Sequence, residues 1–239
     1  MLLLKSPMRW KKLVKIGVLI LGVIVVVLVF RLDLLKVQQI SCQINDTNCP
    51  GEIWTDLMAL SLGKNIFSFP IESISLQIKN SYPQIDKIKI KKNLPSRVDF
   101  NLTSRQPQVA ISGEKFHLVD FQGVVIEKSE TSGEYPLIFL EPEMNLKVGE
   151  KFNQKEVLET IEAIVGLRLR LIEPKLAKII SFSSVDIWLK DDTQLIISLK
   201  KEINSQLDSL QLIYQRAKIE GKKLKQIDVR FDKPIIING

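Results

Sequence analysis

The chain has 239 residues with one His, two Cys and a formal net charge of +7. Lys5, Arg9, Lys11, Lys12 and Lys15 lie before an unbroken apolar run, Ile16 to Phe30, and no acidic residue occurs before Asp33. That leaves 29 basic against 27 acidic side chains in the rest. The basic balance therefore belongs to a short N-terminal stub and excludes a nucleic-acid footprint.

Taken in chain order, the apolar run comes first. Leu13 to Phe30 makes about 27 Å of helix at ~1.5 Å per residue, and Arg31 to Leu35 can complete the crossing of a roughly 30 Å hydrocarbon core. A cleaved signal peptide is the alternative. Such segments end in a small-x-small site, whereas this run ends Leu-Val-Phe-Arg-Leu-Asp. The reading is a single-pass anchor over 13–33, with residues 1–12 cytoplasmic by the positive-inside rule and everything beyond about residue 34 on the outer side. No second run of this kind follows.

On that outer side, disulfides persist. Cys42 and Cys49 in CQINDTNC are expected to form one, with free thiols as the alternative. A short loop closed this way contributes roughly 2–3 kcal/mol. A zinc site would need two further ligands, and His117 stands far off without a ligand spacing. Asn45-Asp46-Thr47 and Asn101-Leu102-Thr103 fit the glycosylation sequon, which matches often by chance and matters only in a glycosylating host.

The first outer stretch reads strand, helix, helix, strand, strand. Val37 to Cys42 alternates. Ile53, Leu57 and Leu60 follow helical spacing, with Gly63 placed to stop that helix. Ser68 and Pro70 can open a second helix with Ile71, Ile74 and Ile78 on its apolar face, ended by Pro83. Ile85 to Lys91 is a period-2 strand with lysines on the wet face, and Arg97 to Thr103 returns after a turn at Asn93 to Ser96.

The second stretch holds strands at Val109 to Ile111, Lys115 to Val119, Val124 to Ile126 and Tyr135 to Leu140, with a turn at Asp120 to Gly123. Phe116, Leu118 and Phe121 are read as strand core, which points His117 away from it. That argues against catalysis by His117 with Asp120. Gln154 to Leu171 is an amphipathic helix. Val185 to Lys190 and Gln194 to Leu199 form a hairpin around Asp191-Asp192-Thr193. That adjacent acidic pair is explained by turn chemistry. Ile203, Leu207, Leu210, Ile213 and Ala217 stripe a last helix stopped by Gly221. Lys225 to Phe231 reads as a late strand, followed by the short apolar tail Ile235 to Ile237. Strands and helices mix without regular alternation, so the fold class is α+β.

Four patterns carry a resemblance: Gly63-Lys64-Asn65-Ile66-Phe67 with Tyr82-Pro83; Lys91-Lys92-Asn93-Leu94-Pro95 with Arg105-Gln106-Pro107; Leu118-Val119-Asp120-Phe121-Gln122-Gly123; and Ile227-Asp228-Val229-Arg230-Phe231. In this order, behind a membrane segment, they are similar to the FtsQ/DivIB division proteins. One departure is Ser104, where that family often has Glu. The first outer stretch resembles a POTRA domain, here 34–105, and 106–239 resembles that family's β-domain. The resemblance implies a bitopic, non-enzymatic divisome scaffold in the bacterial cytoplasmic membrane at the septum. It implies FtsB/FtsL-type partners and a lipid bilayer, and no cofactor, metal, nucleic acid or small-molecule substrate. It also implies β-augmentation of a terminal edge strand. The matching residues are Phe231, Lys233, Pro234, Ile235 and Ile236, with Phe231 as aromatic anchor. Ile227 and Val229 are expected to serve the core, while Ile235 to Ile237 could bind a partner or pack on their own domain. The alternative function is a POTRA-containing chaperone of envelope polypeptide export.

Overall fold

The computed structural model describes residues 14–23 and 35–239. Helix α1 (14–23) is exposed on every side. The stub 1–12 and most of the predicted span 13–33 lie outside the described residues. Among the described residues no helix is long and apolar enough to cross a membrane. The described residues cluster into two compact units, those up to Ser81 with Ile85–Ser104, and Tyr82–Gln84 with Arg105–Gly239. The fold is α+β.

The first unit runs β1 (Gln39–Ile44), β2 (Thr47–Asn48), α2 (Gly51–Ser61), α3 (Ile71–Ser81), β3 (Ile85–Asn93) and β4 (Arg97–Ser104). Its sheet order is β2-β1-β4-β3, with β1 parallel to β4. Period-2 patterning sets which side of the sheet is buried. Val98, Phe100 and Leu102 of β4 face inward, and Lys87, Lys89 and Lys91 of the edge strand β3 face water. Ile53 and Leu57 of α2 and Ile74 and Ile78 of α3 cover the inner face. Ile71, assigned from spacing to that apolar face, is instead exposed at the first position of α3. Strand β2 was not anticipated. Asn45 and Asp46 adopt positive φ (46° and 65°), the conformation a tight hairpin turn needs and these residues tolerate. The turn brings Cys49 back to Cys42, where the two are joined with Cα atoms 5.5 Å apart.

The second unit contains β5 (Val109–Ile111), β6 (Phe116–Val119), β7 (Val125–Ser129), β8 (Leu137–Phe139), α4 (Lys155–Leu169), β9 (Pro174–Ser181), β10 (Ser184–Leu189), β11 (Gln194–Ser198), α5 (Ile203–Ile219), β12 (Leu224–Asp228) and β13 (Ile235–Asn238). They form one mixed nine-stranded sheet ordered β13-β12-β11-β10-β9-β8-β5-β6-β7. Helices α4 and α5 pack on each other, on β9 and on β11–β12. Val157, Ile161, Ile164 and Leu167 of α4 and Leu207 and Leu210 of α5 are fully buried. A row of paired residues, Ile187, Leu195 and Ile227, crosses β10, β11 and β12 in the core, also fully buried.

One assignment of orientation is corrected. His117 is fully buried, whereas Phe121 is 60% exposed in the turn beyond β6. Both faces of β6 are covered, so alternation does not separate core from solvent there. The His117 Nε2 lies 3.1 Å from the Leu146 carbonyl, and its ring meets Phe152 edge-on at 5.9 Å.

Candidate partner-docking edge

The C-terminal end of the second unit is built by a reversal of the chain after β12. The strand ends at Asp228, three residues earlier than its pattern suggested. Phe231 therefore lies in the turn, not on the strand. The reason is local: the guanidinium of Arg230 folds back onto Asp228, with Nε–Oδ1 at 3.0 Å and Nη2–Oδ2 at 2.6 Å. The Arg230 N–H also donates to Asp228 Oδ1 at 3.0 Å. Burial by itself would raise the Asp228 carboxyl. The Arg230 hydrogen bonds and charge outweigh that and hold it below the usual carboxylate range. Arg230 also stands over the Phe231 ring at 5.5 Å, and Lys201 pairs with Asp232 at 2.7 Å. The turn and the start of α5 enclose a shallow cleft of about 280 Å³, lined by Ser205, Ser209, Val229, Phe231 and Pro234 among others.

After Pro234 the chain returns as β13, antiparallel to β12, with Ile236 opposite Ile227 and Ile235 opposite Asp228. The apolar tail of the sequence reading is thus the last strand of the sheet, and it covers the outer edge of β12. The outermost edge is β13 itself. Ile235, Ile236 and Ile237 are 51%, 46% and 43% exposed, and Phe231 is 54% exposed. Ile236 extends the buried row Ile187–Leu195–Ile227 to the rim of the sheet and is left half in water. Val229 and Ile227 are buried, as expected of core residues.

Of the residues named from sequence, Phe231 and Pro234 meet at the cleft, and Ile235 and Ile236 lie on the open strand. Lys233 is in the turn and does not line the cleft. Cys42 and Cys49 belong to the first unit. Ile237 lies on the same open strand, and Asp228 and Arg230 were seen in a pattern but given no task. A carboxylate two residues before an arginine was the available signal for that self-closing pair.

The other acidic candidates have structural partners. Asp191 accepts from the Tyr214 hydroxyl at 2.6 Å and the Thr193 N–H at 3.1 Å, and Asp192 takes φ 66° in the β10–β11 turn. Asp120 Oδ1 accepts the N–H groups of Gln122 and Val124, while Arg105 pairs with Oδ2, both side chains being largely buried. Gly123 closes that turn at φ 85°, and a Cβ there would lie 2.6 Å from Leu158 Cδ2. Two of the sequence patterns thus resolve into one buried ion pair and the turn it braces. No three His, Cys, Asp or Glu side chains converge as a metal site among the described residues.

This architecture defines a mixed-sheet α+β protein whose C-terminal unit ends in an apolar open edge, compatible with the fold of the FtsQ/DivIB division proteins. Residues 109–230, half of the chain, match the family model described as cell division protein FtsQ/DivIB, C-terminal, and the chain belongs to that family. A relative named cell division protein DivIB, from Clostridium botulinum (strain Loch Maree / Type A3), is 26% identical over 164 residues, which cover 66% of this chain. The match spans 59% of that relative's length.

Proposed function

We propose that the chain is a bitopic scaffold of the division machinery that holds FtsB/FtsL-type partners on the β13 edge, outside the cytoplasm, and catalyses nothing. In this reading residues 1–12 are cytoplasmic, 13–33 cross the cytoplasmic membrane, 34–105 form a POTRA domain and 106–239 the docking domain, at the septum. The Cys42–Cys49 bond suits an oxidising compartment. Membership of a cell-division family supports the process.

The single observation that carries the mechanism is the half-exposed Ile236 at the end of a buried apolar row. An edge strand offers unpaired N–H and C=O groups to an incoming strand, and alternate side chains give specificity. An added strand would bury Ile236 and the neighbouring isoleucines. Full burial of one such side chain yields about 1.5–3 kcal/mol, so finishing three half-buried ones is a substantial gain.

The test is binding of a peptide from the FtsB-type partner to the detergent-solubilised full chain, compared with Phe231→Ala and Ile235→Asp. Both variants are expected to lose at least tenfold in affinity, about 1.4 kcal/mol, with unchanged circular dichroism. Native affinity in both would overturn edge docking.

A further inference from the structure

Two sequence patterns that the docking edge leaves unused meet at one end of the first unit. Gly63 to Phe67 forms the loop after α2, and Lys91 to Pro95 runs into the β3–β4 turn. The chain segment 35–38 passes between them. Ile66 N–H donates to the Leu35 carbonyl at 2.9 Å, Val37 N–H to that of Lys64 at 2.9 Å, and Gln38 N–H to that of Ser96 at 2.8 Å. Lys92 Nζ donates to the Phe67 carbonyl at 3.2 Å, which ties the loop to the turn. Asn65 Oδ1 accepts the Phe67 N–H at 2.9 Å and fixes the loop from within.

Around this segment three large apolar side chains are partly exposed: Leu62 (40%), Phe67 (54%) and Leu94 (64%). Lys64 and Lys91 are exposed beside them. Asp99, the cross-strand partner of Lys91, accepts hydrogen bonds from Ser41, Asn93 and Arg97. Protruding Leu and Phe ringed by lysines is the composition of a surface that lies in a bilayer interface, where apolar tips enter the headgroup layer and ammonium groups meet lipid phosphates.

We propose that this end of the first unit docks on the anionic surface of the bilayer, with Leu62, Phe67 and Leu94 as its apolar contacts and Lys64 and Lys91 as its phosphate contacts. The proposal rests on the reading of the apolar run as a membrane anchor. Chain length is what selects lipid as the occupant. Only Arg31 to Leu34 separate Phe30 from Leu35, and five fully extended residues reach no more than roughly 18 Å. Whatever path the linker takes, this end of the unit is tethered within reach of the headgroups, so a weak contact becomes an intramolecular one. The first unit is thereby set against the membrane, and its orientation becomes sensitive to lipid charge.

The full chain is reconstituted into vesicles of phosphatidylcholine with phosphatidylglycerol, and into phosphatidylcholine alone. An environment-sensitive fluorophore is placed on Leu94→Cys or, as control, on Thr103→Cys at the opposite end of β4. Quenching by a headgroup-depth lipid quencher is expected to be several-fold stronger at 94 than at 103 in the anionic vesicles. It should fall toward the control in phosphatidylcholine alone and in a Lys64→Glu/Lys91→Glu background. Equal quenching at both sites, in a chain that resists carbonate extraction, overturns the docking face and leaves the anchor standing. A chain that carbonate removes from the vesicles overturns the anchor and this proposal together.

Discussion

His117 lies in the second unit with no solvent contact, and its protonation is therefore a stability term. Burial pushes the imidazole below its ordinary value of 6.5, and the charge of Lys128 adds to this against the opposing Leu146 carbonyl. The unfolded chain takes up a proton that the folded chain refuses. Stability from this residue is thus complete above the unfolded value of 6.5 and drains as pH falls below it. Urea midpoints measured on either side of that value should drop on acidification, and His117→Gln should show a smaller drop. The residue scale was the least legible in the sequence. Alternation read His117 as outward, because one chain does not reveal that a strand is covered on both faces. Asp120 and Arg105 were seen as parts of patterns, yet their pairing joins residues fifteen apart and only the fold discloses it. Phe231 was read as the last residue of the strand, and the Arg230–Asp228 clasp that takes it off the strand was not foreseen.

Helices were easier to see, because their apolar stripes repeat over several turns. The predicted boundaries of α2, α3, α4 and α5 lie within a few residues of the observed ones. Strand β9 escaped. Its pairing with β10 is interrupted by irregularities at both ends, and its burial follows no period of two. Strand β13 was seen only as an apolar tail, since three consecutive isoleucines carry no alternation. The α4–α5 contact was likewise hidden, although its key residue is visible as a lone glycine in a helix. Gly166 faces Leu207, and an added Cβ would lie 2.4 Å from Leu207 Cδ1. Gly166→Val is expected to destabilise the unit by about 1–3 kcal/mol through overpacking. Chemical denaturation of variant and parent reads this directly, and an unchanged midpoint would show that α5 can yield.

At the scale of the whole molecule, topology is the property on which the proposed role depends. Intact spheroplasts treated with protease should lose the epitope of the second unit while retaining one placed before Leu13. Protection of the C-terminal epitope would reverse the orientation and remove any extracytoplasmic docking. The expectation itself comes from composition alone, because a basic stub and an apolar run need no tertiary context to be read, and the protease experiment is what tests it. The division into a four-stranded and a nine-stranded unit was legible in outline, since the change of pattern near Arg105 marks it. Strand β13 has a further consequence in time. The ribosome makes it after every other strand of its sheet, so a growing polypeptide offers no finished rim to a neighbour. A premature stop after Asp228 would yield a protein whose β12 lies bare in place of the isoleucine strand. On the docking role proposed above, such a truncated copy would lack the edge that a partner strand joins.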